Sequence, residues 1–353
     1  MIEKMPLLEL DKLFPDGIAL FIGMVSFEDR CFSILENLKT LPVHCLLFKN
    51  LASGAIAQKN LDHMIGLTIE RNTVVDLDIS SPITTADAFA RALASEVIAS
   101  SAGAIFIDTT TFTHEQLLIL LRIIELRGIE HKIIMGYTGA ETYSTNTDVE
   151  HVWLSRGVAQ IRSVLGYPGR FSPSKRLHLI VVVGFEHERA AAVIEQFEPA
   201  RLTLMCGDPE QSVSSSHYAT NKRFFEKLQN FVERAKSTQT SVETCYISCV
   251  NPFEARDTVL KLASADEGYN VVVCPMNTKI STVGVGMAAI QNGQIQIAYA
   301  RAIEYNENGY STPSTMATVF EYPVAHRECI NGVKAIKQPS VPSVEHDAGN
   351  LPA

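Results

Sequence analysis

The sequence predicts an α/β protein built from two tandem Rossmann-like domains with mainly parallel sheets. Short apolar runs rich in Ile, Val and Phe alternate with longer segments of helical periodicity, which is typical of parallel strands joined by crossover helices. The 353 residues of the chain suit two average domains better than one. The order of elements repeats in the second half, which indicates an internal duplication at an offset of about 160 residues.

Five apolar runs of the first half are predicted strands, at 17–23, 43–49, 73–79, 102–108 and 131–137. Helices are expected between them. One is predicted to start at Thr85 and another to run from Thr113 to Gly128, because a Thr cap precedes each apolar pattern and glycine is favoured just past a helix.

The second half repeats this plan. Strands are predicted at 177–184, 200–207, 242–249, 270–276 and 294–300. Helices are predicted at 189–197, 222–237 and 252–264. The serine-rich run 212–222 is predicted to be a flexible loop, with a lid over a ligand crevice as the alternative.

Composition shifts along the chain suggest four segments. They are a first domain at 1–140, a linker at 141–176, a second domain at 177–335 and a mobile tail at 336–353. The linker mixes polar turn formers with one short amphipathic stretch, and its Trp153 is interpreted as a buried anchor, with base stacking as the alternative. The tail contains Pro, Ser and Ala without periodicity.

Composition also excludes several classes of protein. Hydrophobic residues make up 46% and charged residues 20%, which is a globular balance, and the net charge of −9 offers no general attraction to a phosphate backbone. The seven cysteines lack CxxC or zinc-ligand spacing, so we expect buried thiols, no metal and no cofactor. Without a run of about 18 apolar residues, no membrane span is expected, and the cytoplasm is the predicted location.

The loop after the predicted strand 270–276 carries the strongest binding signal, because ligands of open parallel sheets bind beyond the carboxyl ends of strands. Asn277, Thr278 and Lys279 follow the strand, and Ser281 and Thr282 come next at a helix start. Backbone amides, hydroxyls and an ammonium group together suit a phosphate. The alternative is a helix cap followed by glycines that pack on the sheet. Neither the Walker pattern nor GxGxxG after strand one is present.

The corresponding loop of the first half holds hydroxyls without a cation. Thr109, Thr110 and Thr111 follow the predicted strand 102–108. These residues are candidates for holding the sugar or base of a ligand. The alternative is a degenerate copy whose role is packing.

The turns after the first strand of each half resemble one another, as SFEDR at 26–30 and GFEHER at 184–189. Arg30 and Arg189 are therefore candidate phosphate clamps at the crevice. The alternative for each arginine is a salt bridge to the acidic residue beside it at a helix start.

The segment VVVCPMNTKISTVGVGMAAI, followed by QIQIAYA, resembles the CARF domains, Rossmann-like sensors of cyclic oligonucleotides in prokaryotic antiviral systems. The resemblance covers 177–300, and the first half shares it more faintly through 108–111 and 26–30. Thr278 and Lys279 match the end of the family's loop, whereas Met276 and Asn277 stand in place of its glycines. The resemblance implies that two such domains pair about a two-fold axis, as an internal pair or a dimer, and bind a nucleotide ligand across it.

The sequence leaves three hypotheses for the function. The first is a binding or regulatory protein that senses a nucleotide-type ligand, such as a cyclic oligonucleotide, or regulates a partner effector in antiviral defence, as a homo-oligomer or hetero-complex. The second is an enzyme that hydrolyses nucleotides or phosphodiesters, with Asp108, His187 or Glu186 as acid/base candidates. The third is a scaffold subunit. The sequence favours a non-enzyme because it shows no nuclease motif and no GxSxG elbow.

Overall fold

The computed structural model describes residues 2–68, 71–94, 103–129, 131–143, 154–235, 240–265, 267–307 and 311–324. It contains helices and two mixed, mainly parallel sheets, which confirms the predicted α/β class. The predictions for Trp153 and for a mobile tail at 336–353 lie outside the described residues.

The elements of the first half follow the order predicted from the sequence, with additional elements at the start. They are β1 (Ile2–Pro6), a 3₁₀ helix (Leu7–Leu13), β2 (Ile18–Met24), α1 (Arg30–Asn37), β3 (His44–Asn50), α2 (Ala55–Thr68), β4 (Asn72–Leu77), α3 (Pro82–Ala92), β5 (Ala104–Asp108), α4 (His114–Arg127) and β6 (Ile133–Tyr143).

The remaining elements contain the other five predicted strands and two further ones. They are β7 (Ser155–Pro168), β8 (Arg176–Val182), α5 (His187–Phe197), β9 (Arg201–Gly207), α6 (Ser215–Ala235), β10 (Ser241–Ile247), α7 (Pro252–Ser264), β11 (Tyr269–Pro275), α8 (Lys279–Gln291), β12 (Gln296–Tyr305) and β13 (Ser311–Tyr322). We call 18–143 the first half and 176–305 the second half.

The two sheets share one strand order. The first sheet runs β1-β13-β6-β5-β2-β3-β4 and the second runs β10-β9-β8-β11-β12-β7. When the order of the second sheet is reversed, its strands β12-β11-β8-β9-β10 correspond to β6-β5-β2-β3-β4 of the first sheet. Neighbouring strands within each of these sets are parallel. This is the arrangement that a duplicated unit would produce, while the duplication itself stays a prediction.

The two halves exchange their last strands. β7 pairs antiparallel with β12 of the second half, and β13 pairs antiparallel with β6 of the first half. Residues 155–168, within the expected linker, form a strand of the second sheet, and residues 311–322, within the expected second domain, form a strand of the first sheet, while the domain bounds stay a prediction. Both strands mix exposed and buried residues without a continuous apolar run, so the sequence pattern did not reveal them.

A buried ion pair fixes β7 to the first half. Arg162 on β7 donates to both carboxylate oxygens of Glu115 on α4, at 2.8 and 2.6 Å, and also to the carbonyl oxygens of Ile79 and Ser80. The Tyr167 hydroxyl donates to the backbone oxygen of Leu118 at 2.9 Å. Through these bonds one strand of the second sheet is held against the helices that cover the first.

Helices α4 and α8 pack against each other between the two sheets. Nearly every residue of α8 from Ile280 to Ala289 is buried, as are residues 114–121 of α4, so both helices are apolar on most sides and lie in the interior. The close approach occurs at Gly286, where a Cβ would stand 2.9 Å from Leu118 Cδ2. Side chains from both sheets consequently share one continuous core.

Local polar contacts set the helix boundaries. Thr113 caps α4 in a capping box with Gln116, and Gly128 ends that helix with φ of 59°, as predicted. The predicted cap at Thr85 is wrong, because Ser81 caps α3 and the Thr85 hydroxyl donates to the Asp78 carbonyl.

The predicted loop over 212–222 is wrong for most of its length. Helix α6 begins at Ser215, and the Ser214 hydroxyl accepts a hydrogen bond from the backbone N–H of His217 at 3.1 Å. A serine-rich run therefore caps and opens a helix here, which is a position that favours serine.

Cysteines in the described ranges hold free thiols, and Cys245 is the one among them that is not fully buried. Burial raises the pKa of the Cys31 and Cys274 thiols to about 12. Every helix in the described part of the chain is too short or too polar to span a membrane.

Two glycine substitutions should change stability in opposite directions. A Cβ on Gly284 would lie 2.5 Å from the Pro252 carbonyl oxygen, so we expect Gly284→Ala to lower the free energy of unfolding by about 1–3 kcal/mol. Gly66 is exposed in α2 and has open space around its Cα, so Gly66→Ala should raise it by up to about 1 kcal/mol. Urea unfolding measures both, and a Gly284→Ala variant as stable as the parent would contradict this packing.

Candidate functional site

A central cavity of about 760 Å³ lies where the two halves meet. Its walls come from the loops beyond β2 and β5 in the first half, the loops beyond β8 and β11 in the second half, and the end of β12. These are the carboxyl ends of parallel strands, where ligands of such sheets bind. The volume falls in the range of small-molecule sites, roughly 300–1,000 Å³.

The starts of four helices face this cavity. Arg30, His114 and Lys279 are the first residues of α1, α4 and α8, Glu186 caps α5, and all four line the cavity. The amino end of a helix carries a partial positive charge and outward-pointing N–H groups. Their convergence favours an anionic ligand.

The predicted clamp Arg30 is buried and already paired. It contacts the Glu28 carboxylate at 2.5 Å and donates to the Thr138 carbonyl oxygen on β6 at 3.1 Å. It also donates to the hydroxyl of Ser311, which in turn donates to Glu28. Arg30 thus ties the start of α1 to β6 and to the exchanged strand β13.

Arg189 repeats this arrangement in the second half. It forms an ion pair with Glu186 at 2.9 Å and donates to the Ser155 hydroxyl on the exchanged strand β7 at 3.3 Å. Both arginines line the cavity while their charge is offset by a neighbouring glutamate. The salt bridges that the sequence allowed as an alternative are therefore present, and phosphate binding by these arginines stays a proposal.

Lys279 also lines the cavity, but unlike Arg30 and Arg189 it is not paired with a glutamate among the described residues. It makes no direct hydrogen bond or ion pair with the described residues. Burial lowers the pKa of its ammonium group to about 8; the Glu28 carboxylate acts in the opposite direction, and Arg30 and Arg189 lower the pKa further. A half-buried cation without a direct partner among the described residues is a strong candidate for contact with an anion.

Most of the other predicted hydroxyls are used within the protein. Thr278 caps α8 and donates to the Cys249 carbonyl oxygen at 3.0 Å. Ser281 and Thr282 are fully buried and donate to the Thr278 carbonyl oxygen. Asn277 lines the cavity, and its amide donates to the Val183 carbonyl oxygen at 2.7 Å.

The three threonines of the first half are likewise bonded locally. Thr109 donates to the Gly136 carbonyl oxygen, Thr110 to the Asp108 carboxylate, and Thr111 to the Met24 carbonyl oxygen. Thr110 and Thr111 line the cavity, whereas Thr109 lies behind the wall. Their hydroxyl protons hold the loop in place.

Sequence reasoning missed Arg301, which β12 places in the cavity wall. Its Nε is buried and has no hydrogen-bond partner, and no ion pair joins its side chain to the described residues. Glu304 and Glu307 stand further along the chain at the exposed rim, where water screens their charge. The signal was available, because AYARAIEY at 298–305 repeats the pattern of GYTGAETY at 136–143.

Aromatic and neutral polar groups complete the walls. Phe27 and Phe185, from the two similar turns, line the cavity together with Tyr137, Tyr299 and Tyr305. The His217 ring packs against Phe185 at a tilt, with ring centroids 4.9 Å apart. Burial, and to a smaller extent the charge of Arg30, lowers the pKa of this imidazole to about 4. Flat apolar faces of this kind suit stacking with a nucleobase.

The proposed acid/base residues do not form one group. Asp108 lies behind the cavity wall, and burial raises the pKa of its carboxyl to about 7 despite hydrogen bonds from Thr110. Glu186 is in the wall but paired with Arg189. His187 lines a separate surface pocket with Lys227 and Phe231.

Comparisons with known proteins give similarity to solved structures and no family. No family model matches the chain, and no curated protein matches it either. Among solved structures, the chain is similar to a type III CRISPR defence DNA nuclease activated by cyclic oligoadenylate, with 7% identity and a TM-score of 0.48. The match covers 79% of this chain but 65% of that one, so it spans less than two thirds of the nuclease. A similarity at this level does not assign a function.

Removing the Lys279 charge should stabilise the protein at neutral pH. Because folding lowers this pKa from 10.5 to about 8, the folded state keeps a disfavoured charge below pH 8, and that penalty disappears as pH rises to about 10.5. Lys279→Met should therefore be more stable than the parent at pH 7, by up to about 3 kcal/mol, and the difference should vanish by about pH 10.5.

Urea unfolding of parent and variant from pH 7 to 10.5 measures this difference. Lys261→Met, at an exposed lysine of α7, is the matched control and should show a difference near zero throughout. A stability difference for Lys279→Met that does not depend on pH would contradict the assigned environment.

Proposed function

We propose that this protein binds a nucleotide-type anion in the central cavity and acts as a ligand-sensing or regulatory protein. The observation that carries the proposal is that Lys279 and Arg301, two cations without a direct partner among the described residues, line the cavity. Four helix starts add partial positive charge, and the aromatic rings supply stacking surfaces. These walls therefore complement a ligand that carries both a phosphate group and a nucleobase.

The sensing role is supported by where the cavity lies. Its walls are built from both halves, and the Glu28–Arg30–Ser311 and Glu186–Arg189–Ser155 groups join it to the exchanged strands. A ligand that contacts these side chains would bias the relative position of the halves, as a regulatory ligand must favour one conformation over another. An effector partner would read out that change, and antiviral defence is the context that the sequence resemblance suggests.

Ligand binding is best tested by thermal unfolding and calorimetry with a panel of nucleoside mono-, di- and triphosphates, linear oligonucleotides and cyclic oligoadenylates. A ligand that binds the folded state raises the apparent stability. We expect at least one of these compounds to do so. Since a hydrogen bond to a charged group contributes about 1.5–3 kcal/mol, Lys279→Met and Arg301→Gln should each weaken binding about tenfold or more.

Lys261→Met is the control and should bind like the parent. Stability unchanged by every compound, or binding that survives both cavity substitutions, would contradict the proposal. Chromatography of the bound ligand after incubation separates a sensor from an enzyme, because a sensor returns the ligand intact, whereas hydrolysis would favour the alternative phosphodiesterase function.

A further inference from the structure

We infer that the cavity takes an asymmetric ligand, a linear nucleotide with a terminal phosphate, and that this phosphate lies against the second-half wall. The inference rests on the proposed function and adds the class and orientation of the ligand. It follows from a comparison of equivalent positions in the two halves, because the frame is repeated while the side chains facing the cavity are not.

Shared features fix which positions are equivalent. Thr113 caps α4 and Thr278 caps α8, each accepting from the backbone N–H three residues later. Tyr137 on β6 and Tyr299 on β12 both line the cavity. Counted from the caps, His114 corresponds to Lys279.

The first difference lies at these two helix starts. His114 Nδ1 is 2.6 Å from the Thr282 hydroxyl, the fourth residue after the cap of α8, and burial lowers the pKa of the imidazole well below its usual value. The fourth residue after the cap of α4 is Leu117, which has no hydroxyl to offer Lys279. One helix start therefore presents a neutral, anchored ring, and the other presents an ammonium group without a direct partner.

The direction of the Thr282 hydrogen bond also determines which ring nitrogen of His114 carries the proton. The Thr282 hydroxyl donates to the Thr278 carbonyl oxygen at 3.0 Å, so His114 donates through Nδ1 and keeps Nε2 as an acceptor. An acceptor on a ring that lines the cavity suits a hydroxyl or amino group of a ligand, not a phosphate oxygen.

The second difference lies two residues beyond the paired tyrosines. Arg301 lines the cavity from β12, while the equivalent position on β6 is Gly139. Val213 fills the space there, with its Cγ1 2.6 Å from where a Cβ would stand. Val213, just before α6, excludes a side chain at Gly139, whereas Arg301 keeps a buried Nε without a hydrogen-bond partner among the described residues.

Both half-buried cations without a direct partner among the described residues thus belong to the second-half wall. The arginines that are present in both halves, Arg30 and Arg189, are each offset by a glutamate. A terminal phosphate carries about −1.5 to −2 charges at pH 7, which two cations can offset. A ring with repeated phosphodiesters would place comparable charge against both walls, whereas the cations without a direct partner among the described residues belong to the second-half wall.

Three adenosine dinucleotides distinguish the ligand classes: the linear form with a 5′ phosphate, the linear form without it, and the cyclic form. Calorimetry with the full chain should show the phosphorylated linear form binding at least about tenfold tighter than the other two. Lys279→Met should remove the preference for the 5′ phosphate. His114→Gln should weaken both linear forms to a similar extent, and circular dichroism confirms that each variant is folded.

Equal or tighter binding of the cyclic form would overturn the inference while leaving the proposed function in place. A 5′ phosphate preference that persists in Lys279→Met would overturn the assigned orientation. Binding of none of the three, together with none of the wider panel, would overturn the proposed function and the inference with it.

Discussion

The close packing of α4 against α8 is the constraint on which the rest of the structure depends. Gly286 lets the helices approach, and the contact between His114 and Thr282 joins their first turns. Because each helix starts at the carboxyl end of a central strand, this packing directs both starts into one cavity. The exchanged strands β7 and β13 reinforce this packing. Strand β7 follows the first half in the chain but joins the second sheet, and β13 follows the second half but joins the first sheet.

A repeated frame with unequal side chains explains how the cavity acquires a direction. The positions that hold the frame together, such as the Glu28–Arg30 and Glu186–Arg189 pairs, recur in both halves. The cations that face the cavity without a direct partner, Lys279 and Arg301, occur in the second half alone among the described residues. Charge that is offset within the protein stabilises the fold, and charge that is not offset is available to a ligand.

The sequence predicted the frame well and the site in part. Apolar runs located all ten predicted strands, and Thr113 and Gly128 marked the ends of α4, because burial and capping leave local patterns. Strands β7 and β13 were missed because partly exposed antiparallel strands carry no continuous apolar run. Lys279 was found from its place after a strand, whereas Arg301 lies inside a strand and becomes a cavity residue only through the equivalence of β6 and β12.

The stoichiometry of binding tests the central claim most directly. Each chain contributes one Lys279 and one Arg301 to the central cavity, so calorimetric titration of the 5′-phosphorylated adenosine dinucleotide should give one ligand per chain. The affinity should fall as pH rises through about 8, where Lys279 loses its proton. A stoichiometry of one ligand per two chains, or an affinity that does not change over this pH range, would contradict a site contained within one chain and centred on Lys279.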